Sequence, residues 1–106
     1  MGICYAPRTA EKNAMTVTRI VHYRARPGVE EALHNALLEA VPAIASSPDC
    51  LKVRMLPSLD DGAEFALYEE WVSIEAHRAA AGLPPALLAK INALLAGPAK
   101  SSFYAG

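Results

Sequence analysis

The chain has 106 residues, which fits one domain and leaves no room for a second. Apolar residues make up 53% of it and charged residues 20%, the composition of an ordinary globular protein. The formal net charge is −1 and the Lys and Arg residues are scattered, so charge gives no case for a nucleic-acid or membrane-surface partner.

The first residues differ in character from the rest of the chain. Residues 1–14 lack the apolar core of a signal peptide, and we expect a disordered extension before a domain of residues 15–106. Residues 15–26 then alternate with period two and are rich in β-branched side chains, which predicts a strand that Pro27 and Gly28 end. One face of this strand carries Val17, Arg19, Val21, Tyr23 and Ala25, and the other carries Thr18, Ile20, His22 and Arg24.

Helical spacing follows over residues 29–46. The apolar stripe consists of Val29, Leu33, Ala36, Leu37, Ala40, Val41 and Ile44. Glu30 and Glu31 lie in the first turn, where the helix dipole favours negative charge. Pro42 removes one backbone hydrogen bond, so we expect a kink there or a short second helix.

Two further strands are predicted over residues 51–56 and 64–71, on either side of the turn signal Asp60-Asp61-Gly62. In the later strand Phe65, Leu67, Glu69 and Trp71 share one face, and Ala66, Tyr68 and Glu70 share the other. Ser73 is a good N-cap for a helix over residues 74–81. A second helical piece over residues 86–96 and a last strand over residues 100–105 complete the chain.

The element order is therefore β-α-β-β-α-β, which is the ferredoxin-like, split βαβ form of an α+β domain. Such a fold has an antiparallel four-stranded sheet with its helices on one face. The helices leave the other face uncovered, with Ile20 and Tyr68 on it, and an exposed apolar face marks an interface. We therefore expect a homodimer, with a ligand cavity either between helices and sheet or at the dimer seam.

No strong catalytic motif is present, so single residues have to be weighed. His22, Tyr68 and His77 are the candidate catalytic groups, as acid, base or oxyanion donor; each could equally be an interface or packing residue. Candidate substrate-binding residues are Arg24, Arg54 and Trp71. We expect no metal site, because His22, His77 and Glu69 lack the spacing of ligands, and no redox cofactor. Cys4 and Cys50 indicate free thiols in a reducing cytoplasm.

Two runs of sequence resemble the antibiotic-biosynthesis monooxygenase domain family. They are Asp-Cys-Leu-Lys-Val at residues 49–53 and Phe-Ala-Leu-Tyr-Glu-Glu-Trp-Val-Ser-Ile-Glu-Ala-His at residues 65–77. Pro27-Gly28 before the first helix is similar too, and the likeness covers residues 16–104. The resemblance implies a dimeric α+β barrel with a cavity for a small aromatic or apolar ligand. Several members oxidise phenols or hydroquinones with O2 and no cofactor; others isomerise sugars, cyclise polyketides or degrade haem.

The departures from the family pattern narrow these functions. Ala80 and Pro85 stand where many members have histidines, and the haem-degrading branch's strand Asn and late His are missing, so we reject haem degradation. Our first hypothesis is a cofactor-independent monooxygenase acting on a small phenol or quinol. The alternatives are a non-catalytic dimer that binds a small ligand, and an isomerase or cyclase on the same fold.

Overall fold

The computed structural model describes residues 16–106. Its elements are β1 (Val17–Arg24), α1 (Glu30–Ala45), β2 (Cys50–Pro57), β3 (Glu64–Trp71), α2 (Ile74–Ala79), α3 (Pro85–Ala93) and β4 (Lys100–Ala105). The predicted α+β order is confirmed, with the second helical region in two pieces. The extension expected for residues 1–14, and Cys4 within it, lie outside the described residues.

The four strands form one antiparallel sheet in the order β2-β3-β1-β4. Because β1 and β3 are central neighbours, their register decides which side chains meet. Arg19 lies opposite Glu69, and Ile20 lies opposite Tyr68. The pairing of β2 with β3 shifts between Cys50 and Lys52, which is a bulge at the start of β2. This sheet with its helices is the predicted ferredoxin-like fold.

The two faces of the sheet differ sharply in burial. The face that we call the inner face packs against the helices, and its β3 residues Phe65, Leu67, Glu69 and Trp71 are all buried. Against it α1 buries a stripe of four residues: Leu33, Ala36, Leu37 and Ala40. No helix of residues 16–106 lies on the opposite, outer face. That face carries Ile20, His22, Arg24, Arg54, Leu56, Tyr68 and Tyr104.

The helices depart from the prediction at Pro42 and at the end of α3. α1 is one helix through Pro42, so no short second helix forms there; Pro42 lies on the solvent side, and the buried stripe holds the helix on the core. α3 ends at Ala93, three residues before the expected end. There the backbone leaves the helix to pair with the end of β1: the Ala96 nitrogen donates to the Arg24 carbonyl at 2.8 Å, and the Arg26 nitrogen donates to the Leu94 carbonyl at 2.9 Å.

Within residues 16–106, no helix has the length and apolar character needed to cross a membrane.

Candidate functional site

A cavity of about 320 Å³ lies between the inner face of the sheet and the helices. Most of its wall is apolar or small, and its loop side is formed by residues 80–83 between α2 and α3. The ionisable and aromatic groups on its wall come from three elements, β1, β3 and α2, and are Arg19, Tyr23, Glu69, Trp71 and His77. A mostly apolar enclosure with a few converging polar groups is the usual form of a small-molecule site.

Glu69 is the centre of the polar corner, although its side chain is only 1% exposed. Both of its carboxylate oxygens accept hydrogen bonds. The Arg19 Nη1 donates to them at 3.1 and 3.3 Å, and the Trp71 indole Nε1 donates to Oε1 at 2.8 Å. The register of β1 and β3 makes this possible, since Arg19 and Glu69 are direct neighbours across the two central strands.

His77 reaches the same cavity from α2. That helix begins at Ser73, whose extended backbone and hydroxyl form an N-cap: the Ala76 nitrogen donates to the Ser73 Oγ at 3.0 Å. The imidazole lies edge-on between two aromatic rings, with centroid distances of 5.0 Å to Trp71 and 5.3 Å to Phe103. Its Nδ1 is buried and has no hydrogen-bond partner among residues 16–106.

Two ionisable groups of the cavity have shifted pKa values. Burial lowers the pKa of His77, the Arg19 charge lowers it further, and the Glu69 carboxylate opposes the shift. The imidazole is therefore neutral at neutral pH, when one ring nitrogen has a free lone pair. Burial raises the pKa of Tyr23 to about 12, so its hydroxyl stays protonated and can donate a hydrogen bond.

The sequence-predicted site residues fall into two groups. Trp71 and His77 line the cavity together. The other four lie on the outer face, where Arg54 pairs with Tyr68 across β2 and β3, and His22 and Arg24 lie at the exposed side of β1. Arg24 donates to the carboxylates of Asp61 and Glu64. The hydroxyl of Tyr68 donates to Glu70 at 2.7 Å, so these outer-face groups do not join the cavity.

Sequence reasoning missed Arg19, Tyr23 and Glu69 as site residues. The sequence does carry a signal for Arg19 and Glu69. Arg19 is the one charged residue on the apolar face of β1, Glu69 is the one charged residue on the apolar face of β3, and the two charges are opposite. A charge on a strand face that is otherwise apolar is rarely left unpaired when that face is buried.

No group of three or more His, Cys, Asp or Glu side chains is placed to hold a metal ion anywhere in residues 16–106. Cys50 is a free thiol at the start of β2.

Comparison with solved structures identifies the fold class as that of small monooxygenase-like domains. A structure from Nitrosomonas europaea, provisionally named an antibiotic biosynthesis monooxygenase, is 21% identical with a TM-score of 0.79 and covers 90% of this chain and 93% of its own. A Mycobacterium tuberculosis structure is 25% identical with a TM-score of 0.75, covering 86% and 94%. One from Chloroflexus aurantiacus, with the same provisional name as the first, is 27% identical with a TM-score of 0.68, covering 86% and 94%.

The family itself follows from sequence. The model of the antibiotic biosynthesis monooxygenase family matches residues 16–89, well over half of the chain. The chain belongs to the antibiotic biosynthesis monooxygenase family. No curated protein matches it.

Proposed function

We propose that this protein is a monooxygenase that oxidises a small phenol or quinol with O2, without a metal or organic cofactor, in the cavity between helices and sheet. The observation that carries the proposal is the His77 imidazole on the wall of a mostly apolar cavity, where burial lowers the pKa of the ring and favours its neutral form. Family membership supports the reaction class.

The first step is the removal of the phenolic proton. A neutral imidazole has one ring nitrogen with a free lone pair, and that nitrogen of His77 accepts a hydrogen bond from the substrate hydroxyl and then its proton. The lowered pKa of His77 keeps this nitrogen free to accept at neutral pH. The Arg19 guanidinium lies on the cavity wall, and its positive charge favours the phenolate that results.

The second step is oxidation of the electron-rich anion by O2. A ring C–H bond is replaced by a C–O bond to one oxygen atom. The O–O bond breaks, and the other oxygen atom leaves as water with the ring hydrogen and the phenolic proton, so a phenol and O2 give a quinone and water with no external reductant. The apolar part of the wall, which includes Val21, Leu88 and Ile91, excludes bulk water from the oxygen intermediates.

We also propose that two copies of the chain associate through their outer faces. The face carries four large apolar or aromatic side chains that a helix does not cover: Ile20, Leu56, Tyr68 and Tyr104. Tyr104 is 53% exposed in the single chain. A stable interface buries about 800 Å² per partner, which one face of a small sheet can supply. Because the cavity lies on the other side of the sheet, contact between outer faces does not cover its lining residues.

The experiment is oxygen consumption by metal-free protein with a panel of phenols and hydroquinones. We expect uptake with some members of the panel, and with ¹⁸O2 we expect one labelled atom in the quinone product and the other in water. No uptake above buffer across the panel would overturn the proposed oxygenation.

The same panel separates the two alternative functions. Turnover that persists without O2 would indicate an isomerase or cyclase. A compound that stabilises the fold without being converted would indicate a binding protein; at a hundred times its Kd it should add about 2.7 kcal/mol to the free energy of unfolding.

A further inference from the structure

The buried carboxylate of Glu69 is not used in the two steps above. Its side chain is 1% exposed, and three hydrogen bonds hold it: two from the Arg19 Nη1 and one from the Trp71 Nε1. A carboxylate is costly to bury even when it is paired, and an apolar residue at this place in the sheet would avoid that cost. Packing alone therefore does not explain a carboxylate at position 69.

A chain of direct contacts runs from this carboxylate to the imidazole. Oxygen Oε1 of Glu69 accepts from the Trp71 indole at 2.8 Å, and this bond fixes the plane of the indole. The His77 ring meets the indole edge-on, at a centroid distance of 5.0 Å and an interplanar angle of 82°. Phe103 meets His77 at 5.3 Å, so the imidazole is confined between two rings, one of them fixed by Glu69.

We propose that Glu69 is a positioning residue for the oxygenation reaction: it holds Trp71 so that the His77 imidazole faces the substrate, and it supplies the negative charge that stabilises the imidazolium formed when His77 takes the proton. The first part is mechanical and acts through Trp71. The second part is electrostatic. Both rest on the proposed function, in which His77 is the proton acceptor.

The charges around His77 give the electrostatic part a definite sign. From β1 Arg19 disfavours the protonated ring, from α2 itself Arg78 does the same, and from β3 Glu69 favours it; β4 contributes the uncharged ring of Phe103. Glu69 is thus the one carboxylate that acts on His77 among the described residues. Its loss would leave two positive charges and burial acting together, and the imidazolium would become harder to form.

The test is a pH titration of the histidine ring resonances by NMR on the full chain and on two variants. Glu69→Gln keeps the size of the side chain and an oxygen for the Trp71 indole, but removes the charge. We expect the pKa of His77 to move to lower pH. Arg78→Gln removes an opposing charge and is expected to move the pKa of His77 the other way.

The mechanical part is tested by the kinetics of a substrate that the protein oxidises. Trp71→Phe keeps an aromatic edge but removes the N–H that Glu69 holds, and we expect kcat to fall with little change in KM. For Glu69→Gln we expect kcat to fall about tenfold, less than the 10²–10⁴-fold that a general base contributes. If the role of the Glu69 carboxylate were only structural, Glu69→Gln would lower the stability of the fold and leave the titration of His77 unchanged.

The outcomes that overturn the proposal are separate from failure of the oxygenation itself. A folded Glu69→Gln variant in which His77 titrates as in the unmodified chain would contradict the electrostatic part. If that variant does not fold, Trp71→Phe decides the matter, and an unchanged kcat would contradict the mechanical part. If no substrate is oxidised, the proposed function fails, but the titration still decides whether Glu69 controls the protonation of His77.

Discussion

Replacement of Ser73 by Ala is expected to loosen the helix that carries His77. α2 has six residues and buries none of its side chains, whereas α1 buries four. Its start depends on the Ser73 hydroxyl, which accepts from the Ala76 nitrogen at 3.0 Å. Helices this short are not stable by themselves in water, so the cap and the ring contacts of His77 hold the element in place.

The size of the effect follows from the cap. Loss of a Ser N-cap costs about 1 kcal/mol, within a range of about 0.5–2. A loss of about 1 kcal/mol raises the population of the open helix about fivefold. Because α2 buries no side chain, it can open while the sheet stays folded. We therefore expect the melting temperature to fall by less than the 4–8 °C that about 1 kcal/mol of global destabilisation causes in a domain of about this size.

Amide hydrogen exchange measures this directly. We expect exchange over residues 74–80 to be about fivefold faster in Ser73→Ala, and exchange at the buried Leu33 and Leu37 of α1 to be nearly unchanged. Ser73→Thr keeps a capping hydroxyl and is the matched control. The reasoning is refuted if α2 exchanges at the same rate in Ser73→Ala, or if Ser73→Thr accelerates it just as much.

Three further predictions concern stability and assembly. Gly28 has φ +89° and free space around it, so Gly28→Ala should lower the free energy of unfolding by about 1–2 kcal/mol through backbone strain alone, measured by denaturant unfolding. Gly62 has equal space and no positive φ, so Gly62→Ala should lower it much less. Equal losses in the two variants would contradict the explanation. Ile20→Asp should shift light scattering of the dimer towards the monomer, and Leu59→Asp, at a fully exposed loop position, should not; a monomeric unmodified chain would contradict the dimer. The pKa of His77 is lower in the folded chain than in the unfolded chain, so the folded chain binds that proton less readily and its stability should fall as pH drops below about 6.5. The denaturation midpoint of His77→Gln should lack this part of the pH dependence. The same pH dependence in His77→Gln and in the unmodified chain would contradict the explanation.

Local sequence patterns predict most of this fold. The strand over residues 64–71 and the strand over residues 100–105 have the predicted limits, and α1 differs by one residue at each end. Alternation and helical spacing report directly on which side of an element is buried, which is why they succeed here. The end of α3 was missed because Leu94 and Leu95 continue the apolar spacing, while the contact that ends the helix is the distant bridge between Leu95 and Ala25.

The site was predictable only in part. Trp71 is the last residue of β3 and lies on its apolar face, and His77 lies in a helix with a recognisable N-cap. Both were therefore named from sequence. The prediction also named His22 and Tyr68 as candidate catalytic groups, and both lie on the outer face. In the structure the helices and the cavity lie over the more apolar face, and its polar groups are the buried pair Arg19 and Glu69. Alternation within a strand separates its two faces but does not say which polar groups meet across strands; that depends on register.

The most direct test of the proposed reaction site compares His77→Gln with His22→Gln. The quantity compared is the turnover of one phenol or quinol that the unmodified chain oxidises. His77 lines the cavity and His22 lies on the outer face, so the pair tests which side of the sheet carries the reaction. We predict a fall in kcat of about 10²–10⁴-fold for His77→Gln, the contribution of a general base, and activity close to that of the unmodified chain for His22→Gln. Full activity in a folded His77→Gln variant, with loss of activity in His22→Gln, would contradict the account.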